Sequence, residues 1–456
     1  MTNANNHILL ICIEFVQPLF SGNGILTQGL VRGLLAQSQQ YHITVFCARP
    51  ESKKNDPIEI MTTNIDNNAS TRTRTHESGI NDDPYSTARM DGRLNVLVCN
   101  VPDDTWRRLD RSSCWKIIAQ QAPSLLQPFA VKNGIQFDFI FAIDWSALPA
   151  VYNLQEAQFF PASAKMIYFV FRVFSASKEL CHSHNDYQFY RTNEVLGMEK
   201  ADLTILLSHV DEKALANEVT CSEQIKNTHI LVPPLRHDIH CQARIRSTCT
   251  STGTINYQLD NPANDSKPQY ILCNARLSPE KNALKFAQIM HKLHENKILT
   301  RLNLTPLLIG AICDEEYAKQ VCALLPSQSI IVNRFMASHE MSQYLRQTIL
   351  NVHPSIYDAY GMTVVEAAAF GVPSIIHKEC IGASSLLREE FGEIIFGDMD
   401  SEAEVSYKYV ESALFLMGRQ KLQQVGRNAR ERALSWSVND YADELHEKLA
   451  LCSTAV

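Results

Sequence analysis

Two acidic side chains, Asp358 and Glu366, flank a strand-to-helix turn within residues 353–373. The pattern predicts a strand, a loop that ends at Gly361, and a helix over roughly residues 362–370. The first amides of such a helix have no acceptor within it and attract anions, and a glycine lets the anion approach closely. Because helical side chains lean toward the N-terminus, Glu366 points back to the same place. The segment therefore predicts an anion site, suited to phosphate, between a loop acid and a helix acid.

A pair of cations follows the first strand of the second half of the chain. Arg276 and Lys281 lie between a strand that ends near Asn274 and the next helix. An arginine binds two phosphate oxygens as a fork and a lysine binds as a point charge, so the pair can neutralise a diphosphate. A solvated basic loop is the alternative interpretation of this pair taken alone.

The two segments together resemble the family-4 retaining glycosyltransferases of the GT-B fold, the glycosyl transferases group 1, which include sucrose synthases and glycogen synthase relatives. The order proline, serine, acid, aromatic, glycine, aliphatic, threonine and glutamate, closing on Gly-x-Pro, resembles the Glu-x7-Glu signature of that family. Arg276 and Lys281 resemble its Arg-x4-Lys pair. One position differs, since Asp358 stands where the family has glutamate and is shorter by one methylene. A surface acid on an ordinary βα turn is the alternative interpretation.

The resemblance implies a nucleotide-sugar donor and assigns roles at its site. Glu366 would hold the ribose hydroxyls, and Asp358 would lie beside the transferred sugar. Cations and helix amides would stabilise the charge of the leaving diphosphate, so neither a metal ion nor a cofactor is expected. The residues expected to bind the donor are Arg276, Lys281, Gly361, Met362, Thr363 and Glu366, and those expected to be catalytic are Asp358, Arg276 and Lys281.

The first half of the chain carries fainter versions of such motifs. Gly22 and Gly24 resemble the glycine loop that family members close over the donor phosphates, although a plain tight turn explains them equally well. Asp144 and Trp145 resemble the strand ending in Asp-Trp of glycogen synthase relatives and would face the acceptor, with a buried core position as the alternative for Trp145. Where many family members have a histidine, this chain offers Arg172 as the acceptor-side candidate, or as a domain-interface residue.

Short apolar runs alternate with helical patterns in both halves, which is typical of parallel sheets covered by helices. The series restarts at Tyr270–Asn274 after a polar stretch. We therefore expect an α/β chain of the GT-B type, with two Rossmann-like domains facing a central cleft. The expected divisions are an N-terminal acceptor-side domain at 1–240 with a polar insertion at 51–93, a linker at 241–268, a donor-binding domain at 269–435, and a terminal helix at 436–456 that packs back on the N-terminal domain.

The composition excludes several other classes of protein. Of 456 residues, 45% are hydrophobic and 20% charged, as in ordinary globular chains, and the net charge of −7 argues against nucleic acid as a partner. Thirteen cysteines without a pairing rhythm, a polar N-terminus and no apolar run of membrane-spanning length favour a cytoplasmic location. No zinc site is expected at Cys181, His182 and His184, because no second cluster completes four ligands. The basic, aromatic stretch 106–116 leaves peripheral membrane contact as an alternative to a solvated helix face.

The prediction is a retaining hexosyl transfer from a nucleotide sugar to an unidentified acceptor hydroxyl on a glycan, a lipid or a small molecule. A glycosidase would leave the two cations without a role, and a sugar-nucleotide epimerase would not need the Gly-Met-Thr segment. The alternative that stays open is a catalytically silent GT-B subunit that binds a nucleotide sugar or a partner. The shortened acid and the missing histidine are the features that favour it.

Overall fold

The computed structural model describes residues 6–19, 21–38, 40–60, 73–74, 86–90, 92–108, 110–177, 181, 183–218, 227–244, 269–334, 336–377 and 380–454. The chain divides into two compact units. The first comprises Met1–Pro234 with Val438–Val456, and the second comprises Leu235–Ser437. Among the described residues, no helix combines the length and the apolar character needed to cross a membrane.

The first unit is built on an eight-stranded sheet in the order β10-β9-β8-β7-β1-β2-β6-β5. Its strands are β1 (Asn6–Ile11), β2 (Tyr41–Pro50), β5 (Ser86–Met90), β6 (Leu94–Val101), β7 (Phe139–Ile143), β8 (Lys165–Val170), β9 (Leu203–Leu206) and β10 (Thr228–Ile230), and a separate short pair is formed by β3 (Glu59–Ile60) and β4 (Thr73–Arg74). Its helices are α1 (Gly22–Gln37), α2 (Trp115–Asn133), α3 (Asp144–Glu156), α4 (His184–Lys200), α5 (His209–Glu218) and α14 (Val438–Thr454).

The central strands of this sheet are continuous apolar runs, because helices cover both of their faces. Residues 8–11 of β1 are completely buried, and most residues of β2 and β7 are buried as well. Strand β1 lies between β2 and β7, and both pairings are parallel. The segments that follow β1, β7 and β8 therefore leave the same edge of the sheet.

The terminal helix α14 packs on α1 within the first unit. Its close approach depends on Gly33 of α1, where a Cβ would lie 3.2 Å from Val438 and Ala442 atoms. The Tyr41 hydroxyl also hydrogen-bonds the His446 ring at Nδ1. The chain thus returns to its first unit after completing the second.

The second unit has a six-stranded, all-parallel sheet in the order β13-β12-β11-β14-β15-β16. Its strands are β11 (Gln269–Asn274), β12 (Leu304–Ile309), β13 (Ile330–Val332), β14 (Thr348–His353), β15 (Ser374–His377) and β16 (Ile395–Gly397). Its helices are α6 (His237–Arg244), α7 (Ala283–Glu295), α8 (Ile298–Arg301), α9 (Glu315–Leu324), α10 (Ser338–Leu345), α11 (Met362–Ala369), α12 (Ala403–Phe415) and α13 (Gly418–Ser435). The order is that of a doubly wound Rossmann-like sheet. Strands β11 to β13 are added outward on one side and β14 to β16 on the other, so the strand order reverses between β11 and β14.

Parallel, helix-covered sheets in both halves confirm the fold class predicted from the sequence, and some details differ. Part of the expected polar insertion forms β5, because the edge of β6 supplies its antiparallel partners. Helix α6 lies in the second unit, ahead of the expected domain start, and the first unit ends at Pro234. Most of the expected linker, residues 245–268, and much of the expected insertion lie outside the described residues.

Candidate functional site

The two motifs of the second unit meet where the strand order of its sheet reverses, between β11 and β14. Strands β11 and β14 are parallel neighbours, so the segments that follow them leave the same edge. The side-chain amide of Asn282 donates to the Pro354 carbonyl at 3.2 Å, and the Ser355 hydroxyl donates to the Lys281 carbonyl at 3.5 Å. In open α/β sheets this edge, at the reversal point, is where ligands bind.

A single carboxylate joins the two motifs directly. Asp358 Oδ2 lies 2.8 Å from Lys281 Nζ, and Asp358 Oδ1 accepts a hydrogen bond of 3.0 Å from the Gly361 amide. The lysine side chain is 12% exposed and also lies 3.6 Å from Glu280. Lys281 is thus a neutralised cation and not a free one, and the shorter acid reaches both partners without the extra methylene of glutamate.

The residues around Asp358 keep its carboxyl group ionised. Burial by itself would raise the pKa of Asp358, but Lys281 and then His353 outweigh burial and hold that pKa well below its usual range. His353 is 1% exposed, and its Nε2 lies 3.4 Å from Asp358 Oδ2, which is too long for a normal hydrogen bond. Asp358 is therefore a carboxylate throughout the neutral pH range.

The N-terminus of α11 presents backbone amides that have no acceptor among the described residues. Gly361 caps it with φ +74°, and a Cβ there would lie 2.7 Å from Ile381 Cγ2, so only glycine fits. Its amide is already occupied by Asp358, which differs from the expectation that this amide binds the donor. The amides of Met362 and Thr363 make no hydrogen bond within the described residues, and both side chains are half-buried. Two amides therefore remain for an anion.

Arg276 is a further cation at this edge of the sheet. It follows β11, is half-buried, and makes no side-chain hydrogen bond or ion pair in the described part of the chain. The backbone before it is fixed by close packing, because a Cβ at Gly310 would lie 1.9 Å from the Ala275 carbonyl oxygen. With Lys281 neutralised, Arg276 carries the positive charge that an incoming anion would meet.

Glu366 lies within α11 and is paired with an arginine outside both motifs. Its side chain is 5% exposed, and its Oε1 lies 3.1 Å from Arg236 Nη1. Burial raises the pKa of Glu366, and the arginine opposes that rise. Arg236 in turn contacts Asp238 through Nε at 3.1 Å and Nη2 at 2.7 Å. The sequence carries no signal for this arginine, because 130 positions separate it from Glu366.

In the first unit, Asp144 links three segments at one edge of the sheet. It is 3% exposed, has φ +56°, and begins α3. Its Oδ1 accepts from the Phe171 amide at 2.7 Å and its Oδ2 accepts from the Asn23 side-chain amide at 2.6 Å. Burial raises the pKa of Asp144 to about 7, even though these donors oppose it. Asp144 is thus a buried tie between α1 and the loop after β8.

Trp145 lies in the core of the first unit. It is completely buried, and the core that surrounds it is aromatic. Its ring neighbours are Trp115, Phe174, Phe189 and Tyr190, with centroids between 5.1 and 6.0 Å away. The core interpretation of Trp145 is therefore the one that the structure supports, and the acceptor-facing expectation was wrong for this residue.

Arg172 lies in the loop after β8, next to the amide that Asp144 binds. Its Nη2 donates to the Ser177 hydroxyl at 2.7 Å, and its guanidinium carbon lies 5.7 Å from the Phe174 ring centroid. The buried carboxylate of Glu194 accepts from the Phe174 and Ser175 amides of the same loop. Two buried acids thus fix the backbone that carries Arg172.

The two glycines after β1 differ in role. Gly22 is exposed and opens α1. Gly24 is buried, and a Cβ there would lie 2.6 Å from Leu19 Cδ2 and 3.0 Å from Glu14 Cβ. The Glu14 carboxylate accepts from the Ser21 amide at 3.0 Å and from its hydroxyl. Gly24 is therefore required by the folded-back loop, and Gly22 alone is open to solvent.

Comparison with known proteins agrees with this architecture. Residues 257–432 match the family model described as glycosyl transferases group 1. The chain is similar to the sucrose-phosphate synthase structure of Thermosynechococcus elongatus, with a TM-score of 0.70 and 16% identity over 99% of this chain and 100% of that chain. No curated protein sequence matches the chain significantly.

Two further solved structures are similar at 12% identity, each with a TM-score of 0.66. One is a trehalose-6-phosphate structure from E. coli bound with UDP-2-fluoro glucose, covering 99% of this chain and 100% of that chain. The other is an α,α-trehalose-phosphate synthase (UDP-forming) from Burkholderia xenovorans in complex with glucose-6-phosphate, covering 98% and 100%. At these identities the likeness shows the fold. The two Rossmann-like units have the GT-B fold, and the match to the glycosyl transferases group 1 extends over residues 257–432.

Proposed function

We propose that this chain is a retaining glycosyltransferase that moves a hexose from a nucleoside-diphosphate sugar to an acceptor hydroxyl, with no metal ion or cofactor. The observation that carries the proposal is the arrangement at the edge of β11 and β14. There a half-buried Arg276 follows one strand, and a helix that begins with the amides of Met362 and Thr363 follows the other; none of these donors has a partner in the part of the chain that the structure describes. Both features suit the diphosphate of such a donor.

In the proposed reaction, the bond between the anomeric carbon and the diphosphate oxygen breaks while the acceptor oxygen bonds to that carbon from the same face. The acceptor proton passes to the leaving phosphate oxygen. The guanidinium of Arg276 and the two amides stabilise the negative charge that grows on the diphosphate. Because Lys281 is paired with Asp358, its ammonium group stays in a fixed position during the step.

The two acids take different roles in this proposal. Glu366 accepts hydrogen bonds from the ribose hydroxyls. Asp358 holds Lys281 and the first turn of α11 in place and lies toward the sugar. The relatives bound with UDP-2-fluoro glucose and with glucose-6-phosphate suggest a UDP-sugar and a sugar phosphate as the first donor and acceptor to try.

The test is an assay of nucleoside diphosphate release from UDP-, ADP- and GDP-glucose, with and without glucose-6-phosphate, followed by NMR of the glycosidic product. The proposal expects release from at least one donor and an α-configured product, which is retention relative to the α-linked donor. A β-configured product would contradict retention. If no donor releases its nucleoside diphosphate, the proposal that the chain is a glycosyltransferase is contradicted.

A catalytically silent binding protein is the second candidate, and two contacts favour it. Lys281 is neutralised by Asp358, and Glu366 is engaged by Arg236, so both residues are already paired without a ligand. This candidate predicts tight nucleotide binding without donor hydrolysis or transfer. Calorimetry and the release assay on the same preparation distinguish the two.

A further inference from the structure

Arg236 stands immediately before α6 and forms a three-membered ionic cluster with Asp238 and Glu366. All three side chains are largely buried, with exposed fractions of 12%, 17% and 5%. The guanidinium uses Nε and Nη2 on the two Asp238 oxygens and keeps Nη1 for Glu366. Because Asp238 binds the guanidinium group at Nε and Nη2, the direction in which Nη1 points is fixed.

Helix α6, which carries Asp238 of this cluster, is also held in place. Helix α6 packs on α10 and α11. Two arginines of the second unit donate to carbonyls in its last turn: Arg346 to Gln242 and Arg430 to Ala243. The helix that orients Arg236 is therefore tied to the helix that carries Glu366, within one unit.

We propose that Arg236 is a positioning residue for the donor ribose, which holds one oxygen of the Glu366 carboxylate so that the other accepts the ribose hydroxyls. The inference rests on the proposed nucleotide-sugar donor. Oε1 is engaged by Arg236, and Oε2 has no hydrogen bond within the described residues. A buried carboxylate without a cation would take up a proton or turn toward water, and either change would remove an acceptor from the ribose.

Stability alone does not explain the cluster. A buried ion pair is often no better for stability than apolar side chains of similar volume, because desolvation offsets the attraction. A role in fixing one carboxylate oxygen gives the arginine a function that an apolar residue could not provide. It also predicts an effect confined to the hydroxyls of the ligand.

The experiment compares ribonucleotides with their 2′,3′-dideoxy forms by calorimetry, using UDP, ADP and GDP so that the base need not be known. Wild type is expected to bind at least one ribonucleotide about 10-fold or more tightly than its dideoxy form, the value for hydrogen bonds to a charged group. In Arg236→Met that ratio should fall to within about threefold, while dideoxy affinity changes little, since only the hydroxyl contacts are lost.

Arg346→Met is the matched control. It removes another arginine that holds α6, through a hydrogen bond to the Gln242 carbonyl. It is expected to keep the wild-type ratio. If Arg236→Met fails to fold, Arg236→Lys takes its place, because a lysine keeps the charge but cannot bond both acids as a fork. On a Glu366→Gln background, Arg236→Lys should not change the ratio any further.

Three results would overturn the inference: no ribose preference in wild type, an unchanged ratio in the Arg236 variants, or an equal loss for both forms, which would mark a purely structural role. These results leave the proposed donor intact as long as a nucleotide binds. Failure of all six nucleotides to bind wild type would remove the proposed function, and this inference with it.

Discussion

The carboxylate of Asp358 lies 2.8 Å from the ammonium of Lys281, so the acid of one motif neutralises the cation of the other. The same carboxylate accepts from the Gly361 amide, which leaves the next two amides of α11 for a ligand. Charge and geometry at this edge are therefore set before any ligand arrives. Preorganisation of this kind is what stabilisation of a growing negative charge requires.

Replacing Asp358 with asparagine should lower transfer without a comparable loss of nucleotide binding. The amide keeps the size of the side chain but loses the charge that holds Lys281, while the contacts to the nucleoside remain. We expect turnover to fall on the order of 10²-fold and nucleoside diphosphate affinity to stay within about threefold. Steady-state kinetics and calorimetry on one variant give both values. Equal losses in binding and turnover would contradict the separate role of this acid.

Asp358→Glu introduces the glutamate that the resembling glycosyltransferases have at this position, and it tests whether the shorter acid is an adaptation. The present carboxylate already reaches Lys281 and Gly361, so an extra methylene should push it out of place and reduce turnover. Glu280→Gln is the control, because Glu280 lies farther from Lys281, at 3.6 Å, and should give the smaller effect. Donor hydrolysis at the wild-type rate in Asp358→Asn, Asp358→Glu and Glu280→Gln would contradict a role for this acid, and for its length, in turnover.

Gly361→Ala should destabilise the fold more than a glycine replacement with the same backbone angle elsewhere. Gly361 has φ +74° and would clash with Ile381, whereas Gly418 has φ +69° and no atom within 4 Å of its added Cβ. Strain at positive φ costs about 1–3 kcal/mol, and only Gly361→Ala adds the clash to it. Chemical denaturation of the two variants measures the difference. Equal free energies of unfolding would mean that the loop relaxes freely.

Asp144 should make the fold less stable as the pH rises. Burial raises its pKa from 3.8 to about 7, so the folded state binds a proton that the unfolded chain has already released. The stabilisation is complete below pH 3.8 and is lost as the pH rises through about 7. In Asp144→Asn, which cannot titrate, the decline in unfolding free energy between pH 4 and pH 7 should be shallower. Parallel curves for the two proteins from urea denaturation would contradict this assignment.

Local patterns in the sequence were enough to predict the alternation of strands and helices in both halves, both motifs of the second unit and the fold class, because each depends on short runs of residues. Arg236 could not be predicted, since its partner lies 130 positions away and no motif contains it. The occupied amide of Gly361 was missed for a different reason: the pattern shows which amides are free in a helix, but not which loop acid turns back to bind one.

The burial of individual side chains and the formation of the shortest or edge strands also could not be predicted from the sequence. An Asp-Trp pair after an apolar strand fits a core position as well as an exposed one, and only the surrounding rings place Trp145 inside. Strand β16 is only three residues long, and such a short run carries no clear periodicity. Likewise β5 exists because β6 offers an edge, which is a property of the folded sheet.

The central claim is that Arg276 and the Met362 and Thr363 amides of α11 bind the diphosphate of a nucleotide sugar. Its most direct test is calorimetric titration of UDP, ADP and GDP into wild type and Arg276→Ala, with Lys292→Ala, which removes a cation paired with Glu404, as the control. We predict that at least one nucleotide binds wild type and the control alike, and that its affinity falls about 10-fold or more in Arg276→Ala, with turnover reduced by ~10²–10³. Binding that is equal in all three proteins, or absent from wild type for all three nucleotides, would contradict the account.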